Sequence, residues 1–416
     1  MPRQMKNSGI EWMGDIPSDW KISKYKFFAQ SRMGLTILQS ETVDEGIPIY
    51  SATQDDKIFG YIKEPELIIH KGDFVIPARG NSIGCVSVVK EEIATCTQTT
   101  ICSTNIHGIV PDFLYYCCVG LKSEWFKYEG AAIPQITVTQ LNNNMVPLPH
   151  KEEQLIIAGY LNEKCKNIDE ILRKTEETIA EYKKLKQAIV SQAVTKGIQG
   201  ERSMKDSGVE WLGGIPADWN VYRIANLYEE RSESGLEELP ILTVSINTGV
   251  SDHEIADEDK DRVFVRSEDR TKYKRVYPGD LAYNMMRAWQ GAFGAVRVDG
   301  MVSPAYVVAK PKKNVELDSR YMEALLRTSE ATEEMHRYSR GIVDFRLRLY
   351  WPEFKNIRIC LPPIAEQIEI ADYIDEKSAA IDALIAKKEA FAVELENYKK
   401  SMIYEYVTGK KEVPQS

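Results

Sequence analysis

A heptad pattern is written twice in this chain, 213 residues apart, and it limits what the chain can fold into. In the first copy Leu161, Cys165, Ile168, Leu172, Thr175, Ile179 and Tyr182 alternate by four and three residues, with Lys and Glu on the other faces. That spacing is the seam of a helix that packs lengthwise on another helix. No Pro interrupts the stretch from His150 to Gly197, its internal Gly159 lies near the start, and Gly197 is a stop signal. At about 1.5 Å per residue the helix would be roughly 65 Å long. A stripe so long and so narrow needs a partner.

The same chain supplies the partner. Ile374, Ser378, Ile381, Ile385, Lys388, Ala392 and Leu395 repeat the seam near the C-terminal end. After Tyr182 the seam reads as slipping once, to Leu185 and Ile189, and Tyr398 and Met402 repeat that slip. Pro147-Leu148-Pro149 precedes Glu153-Gln154, as Leu361-Pro362-Pro363 precedes Glu366-Gln367. Ala193-Val194-Thr195 closes one copy and Tyr406-Val407-Thr408 the other. Shared flanks and a shared irregularity mark an internal repeat.

Each half also opens alike. Ser8-Gly9-Ile10-Glu11-Trp12 leads through Ile16-Pro17 to Asp19-Trp20, and Ser207-Gly208-Val209-Glu210-Trp211 leads through Ile215-Pro216 to Asp218-Trp219. Two Trp per copy suggest a small packed lid that anchors a domain. The expected organisation is domain 1–149, helix 150–197, domain 198–363, helix 364–410 and tail 411–416. Each domain is expected to own a core large enough to fold by itself.

The domain interiors differ, but both read as short strands and turns. Lys71-Gly72-Asp73 and Pro278-Gly279-Asp280 each lead into a hairpin whose loop carries an arginine, Arg79 or Arg287. Beside them stand Asn81 and Ser82, or Trp289 and Gln290. A helix is expected near 112–126 and near 319–338. Later, Gly130 to Thr137 aligns with Gly341 to Arg348, which matches Gln135 and Thr137 with Arg346 and Arg348. Gln and Thr can read base edges, and Arg can bind guanine or phosphate. Gln98 and Arg340 complete the candidate set. The plain alternative is ordinary outward polar residues on hairpins.

Charge points two ways. The net charge of −9 argues mildly against nucleic-acid binding, which depends on neutralising phosphates. The basic residues are segregated, however: six face three acids from Asp261 to Arg275, and four Arg face one Asp from Arg337 to Arg348. Solvated charged faces would look the same. With 43% hydrophobic and 28% charged residues the chain reads as globular. It has neither an apolar run of membrane-spanning length nor the apolar core of a signal peptide in MPRQMKNSGIEW. Seven Cys without a CxxC pair suggest buried thiols in a reducing cytoplasm, and five scattered His offer no metal-ligand spacing. There is no GxxxxGKS loop, GxSxG elbow or HExxH, and Leu361-Pro362-Pro363 lacks the Asp or Asn of an amino-methyltransferase motif. No catalytic set, cofactor or metal is expected.

Over nearly its whole length the chain resembles the specificity subunits of type I restriction–modification systems. The resemblance lies in two variable domains, each preceding a long helix that starts at PLPHKEEQ or LPPIAEQ and ends near AVTKG or YVTGK. The first copy departs from the family's Pro-containing start at His150-Lys151-Glu152. The resemblance implies an α+β fold of two target recognition domains of mixed strands and helices. Two long helices join them as an antiparallel intramolecular coiled coil with pseudo-twofold symmetry. It implies double-stranded DNA as ligand, two modification subunits and often restriction subunits as partners, and a bipartite target with a gap of fixed length. A recognition fragment of a fused restriction–methylation enzyme, or a coiled-coil adaptor that binds only protein, would share the pattern.

Overall fold

The computed structural model describes residues 3–52, 58–80, 82–126, 135–254, 272–342 and 346–414. The two heptad stretches form helices Lys151–Lys196 and Ile364–Val407. Acidic residues stand in the first turn of each, where they favour the positive end of the helix dipole. Gly197 and Gly409 follow the helix ends with φ of 78° and 70°, a conformation that suits glycine at a C-terminal stop.

The chain divides into two compact units, Met1–Glu176 with Glu389–Ser416, and Glu177–Lys388. In the first unit the start of one helix runs antiparallel to the end of the other. Tyr160 lies on Tyr406 with ring centroids 4.8 Å apart, and further along Asp169 pairs with Lys399. Leu161, Cys165, Ile168 and Thr175 are buried in the seam. The second unit holds the other helix segments, with Ile374, Ile381 and Ile385 buried and Lys186 pairing with Asp382 at 2.7 Å.

The slip expected at Leu185 and Tyr398 is absent. Leu185 is 48% exposed and Tyr398 57% exposed. The regular four-residue step from Tyr182 and Leu395 falls instead on Lys186 and Lys399. Each lysine is half-buried and places its ammonium against an aspartate of the facing helix. The seam therefore keeps its phase through a polar residue.

Each domain is built on a four-stranded antiparallel sheet with the same strand order. In the first it is Gln30–Met33, Thr100–Thr104, Phe74–Pro77 and Ser87–Val88; in the second it is Tyr228–Glu230, Tyr306–Pro311, Leu281–Asn284 and Phe293–Ala295. The expected hairpins are present, Phe74 opposite Val88 and Leu281 opposite Ala295. Asp73 and Asp280 close the same turn, accepting from the backbone N–H of His70 and Tyr277. The expected helices each come in two pieces, Pro111–Gly120 with Lys122–Trp125, and Ser319–Leu326 with Ser329–Tyr338. An early strand pairs with the last one to close each domain: Lys21–Lys24 with Met145–Leu148, and Asn220–Arg223 with Arg358–Leu361.

The repeated Glu-Gln is the joint between domain and helix. Glu153 accepts from the Trp20 indole N–H at 2.9 Å and pairs with Arg3; Glu366 does the same with Trp219 and Arg202. Gln154 donates to the Pro149 carbonyl and accepts from Val110 N–H, while Gln367 donates to Pro362 and accepts from Asp318 N–H. Trp20 and Trp219 are fully buried. The core is not confined to the domain. The main cluster of the second unit joins Trp219, Tyr321 and Leu325 to the helix residues Val194, Ile370 and Ile374. Among the described residues no helix is long and apolar enough to cross a membrane.

Candidate nucleic-acid interface

In both domains the loop leaving the third strand of the sheet is stitched to a loop that comes much later in the chain. Ile136 donates its N–H to the Ala78 carbonyl at 2.9 Å, and Leu349 donates to the Met285 carbonyl at 2.8 Å. The bond pairs Arg79 with Gln135 across an isolated antiparallel bridge, both side chains exposed. It also corrects the alignment of the two copies. The Asp73 and Asp280 turns fix the strand register, so Met286, not Arg287, stands where Arg79 does. Arg348 stands where Gln135 does. Thr137 corresponds to Tyr350, since each precedes the short helix that follows. The hairpins differ in length and the late loops differ in composition, so sequence alone misplaced these matches by one and by two residues.

The candidates then sort by surroundings. Thr137 is a helix cap: its hydroxyl accepts from Gln140 N–H at 3.1 Å, and the Gln140 side chain accepts from Thr137 N–H. Ser82 is buried and donates to the Ala52 carbonyl. Asn81 lies outside the described residues. Gln98 is exposed on the turn after strand Ile93–Cys96 and accepts from the Thr36 hydroxyl at 2.9 Å. Arg287 is exposed at the start of the turn Ala288–Gln290, close enough to Tyr306 to favour its ionised form, though burial dominates and raises that phenol. Trp289 is half-buried and meets the His336 ring edge-on at 5.2 Å, which makes it a packing residue. Gln290 is exposed on the rim of a cleft of about 810 Å³.

Arg340 bridges antiparallel to Arg348 through paired backbone hydrogen bonds of 2.9 Å, and its guanidinium reaches Glu353 at 2.6 Å. Arg346 is exposed; Arg348 is half-buried with one nitrogen on the Leu347 carbonyl. Of the basic run 261–275 only residues from Lys272 onward are described. There Arg231 and Arg275 lie over the Tyr277 ring at 4.4 and 4.6 Å, and Arg231 is held by Asp280 and Glu233. The sequence reading missed Met286 and Tyr350, which are 39% and 44% exposed on the stitched loops. Neither carries a charge or an amide, so a search for polar side chains passes over them. Among the described residues no cluster of His, Cys, Asp or Glu could hold a metal.

The sequence profile of the type I restriction modification DNA specificity domain matches residues 17–181. That span runs from the opening hairpin through the first domain into the long helix. The type I restriction enzyme MjaVIII specificity subunit of Methanocaldococcus jannaschii is 25% identical over 95% of this chain and 93% of its own. Over nearly its whole length the chain is similar to the specificity subunits of type I restriction–modification systems. The putative MjaX specificity subunit of the same organism is 28% identical over 51% of this chain and 54% of its own. A chain solved in work on complex assembly and conformational transition of the type I R-M system shares the fold, with a TM-score of 0.67 at 14% identity, over 95% of this chain and 99% of that one. The profile stops after one domain, yet residues 202–407 repeat the strand order of its main sheet and the hydrogen bonds of its helix joint.

Proposed function

We propose that the chain binds double-stranded DNA and reads a bipartite target, each recognition domain taking one half-site and the antiparallel helices setting the gap. The observation that carries this is the stitched loop pair. One backbone bond is used twice, and the side chains beside it differ: exposed Arg79 and Gln135 in one domain, exposed Met286 and half-buried Arg348 in the other. A shared scaffold with divergent tips is what two different half-sites require. The joint formed by Glu153-Gln154 and Glu366-Gln367 is identical in both copies, which suits two copies of one modification subunit, with restriction subunits joining them. The chain is proposed to act in the cytoplasm without catalysis of its own. Its net charge of −9 leaves part of the phosphate binding to those partners.

Mapping methylated bases across the host genome, with and without this gene, tests the reading. Loss of methylation at one two-part motif is expected. An unchanged methylation map, or methyl transfer to DNA by the purified chain alone, would overturn it.

A further inference from the structure

The corrected register has a chemical consequence. In the first domain the position beside the stitch is Arg79, with Gln135 across from it; both side chains end in hydrogen-bonding groups that match guanine and adenine edges. In the second domain the same backbone position is Met286, next to the Met285 carbonyl that Leu349 holds, while Arg348, at the Gln135 position, bridges to Arg340. Met286 is 39% exposed, although an unbranched apolar side chain gains by burial. The loop holds it there. The Met286 N–H donates to the Asn284 side chain at 3.0 Å, and the preceding carbonyl is tied to Leu349. A scattered surface methionine needs no explanation. This one occupies the place that the other copy gives to an exposed arginine, between strands anchored on both sides.

We propose that Met286 is a specificity-determining residue of the second recognition domain and contacts the 5-methyl group of a thymine in the major groove. The inference rests on the reading of the chain as a DNA specificity subunit. A thioether side chain cannot match the donor and acceptor pattern of a guanine or an adenine. The one base-edge feature in the major groove that asks for apolar contact is the thymine methyl. Its exchange for hydrogen removes about one methyl group of burial, a loss of about fourfold in binding.

The test uses the complex of this chain with its modification partner and duplexes carrying the mapped target. Each thymine is replaced in turn by deoxyuridine. The wild-type complex is expected to lose about fourfold in affinity at one position, confined to one half-site. Met286→Ala abolishes that difference, and Met286→Leu retains it. Sensitivity that persists in Met286→Ala overturns the proposal, as does a wild-type complex indifferent to every replacement. If Met286→Ala fails to assemble with its partner, the wild-type series and Met286→Leu still decide. A wild-type complex with no preference for the target over a scrambled duplex would instead overturn the DNA reading itself.

Discussion

Lys186 of the first long helix reaches Asp382 of the second at 2.7 Å, and Lys399 reaches Asp169 in the same way. The four residues are related by the 213-residue repeat, so one ion pair has been used twice. Both pairs are partly exposed, which limits each to about 0–1 kcal/mol. Their position matters more than their strength. A lysine that interrupts an apolar seam disfavours shifted pairings of the two helices, in which its ammonium would meet no carboxylate.

Replacing that lysine with an apolar residue should therefore strengthen the helix pair and loosen its register. Lys186→Leu, alone or with Lys399→Leu, is expected to raise stability by up to about 1 kcal/mol per site, because Asp382 and Asp169 stay open to water. Denaturant unfolding measures the stability, and disulfide trapping of cysteine pairs placed one turn out of phase measures the register. A loss of several kcal/mol in the leucine variants would show that the ion pairs are structural struts.

The domain–helix joint makes a different prediction. Trp219 is fully buried and gives its indole N–H to Glu366. Trp219→Phe keeps most of the packing but leaves the Glu366 carboxylate short of one donor, at a cost of about 1–3 kcal/mol. Trp20→Phe should cost a similar amount, since Glu153 receives the same bond. Trp219→Ala should cost about 3–5 kcal/mol, through the cavity it leaves. Thermal unfolding of the three variants checks the order. A Phe variant as stable as wild type would mean that Arg202 alone satisfies Glu366.

Much of this was legible in the sequence. The 3.5-residue spacing predicts both helices, because residues such as Leu161 and Ile374 recur on one face while Lys and Glu crowd the others. The repeated Trp20 and Trp219 mark the buried anchor of each domain on its helix. Two things were hidden. The lysines in the seam look like surface residues, since a sequence shows neither the aspartate across the gap nor the buried methylene stem. The recognition loops were aligned by residue type, whereas the match is set by backbone bonds such as Ile136 to Ala78. Side chains that differ between two half-sites are the least able to reveal that match.

Arg79 and Gln135 are neighbours on the first domain's stitched loops, so their effects should be coupled and confined to one half-site. Arg79→Ala is expected to cost about 1–3 kcal/mol of binding, with relaxed preference at one base, if the guanidinium reads a base edge. Arg287→Ala, one residue beyond the equivalent position, should weaken binding evenly across sequences through loss of a phosphate contact. Competition binding on a library of variant targets separates the two patterns. Relaxation in both half-sites after Arg79→Ala would contradict separate reading heads.

The last prediction concerns exchange of a whole domain. Residues Ser207 to Pro362 carry the second variable domain, and replacing them with the matching segment of a relative should change one half-site alone. The core shared between domain and helices adds a condition that the sequence did not suggest. The incoming segment must bring a Trp for Glu366, a backbone N–H for the Gln367 side chain, and apolar residues for Val194 and Ile370. A chimera that meets these conditions keeps the joint, both helices and the whole first unit, so the first half-site and the gap should be retained. A chimera that breaks them should fail to fold, because the domain's main cluster is completed by the helices. Methylation mapping in cells carrying each chimera reads the outcome directly. A folded chimera bound to its modification partner that methylates a motif changed in both halves would refute the modular reading and show that the two domains read their target as one surface.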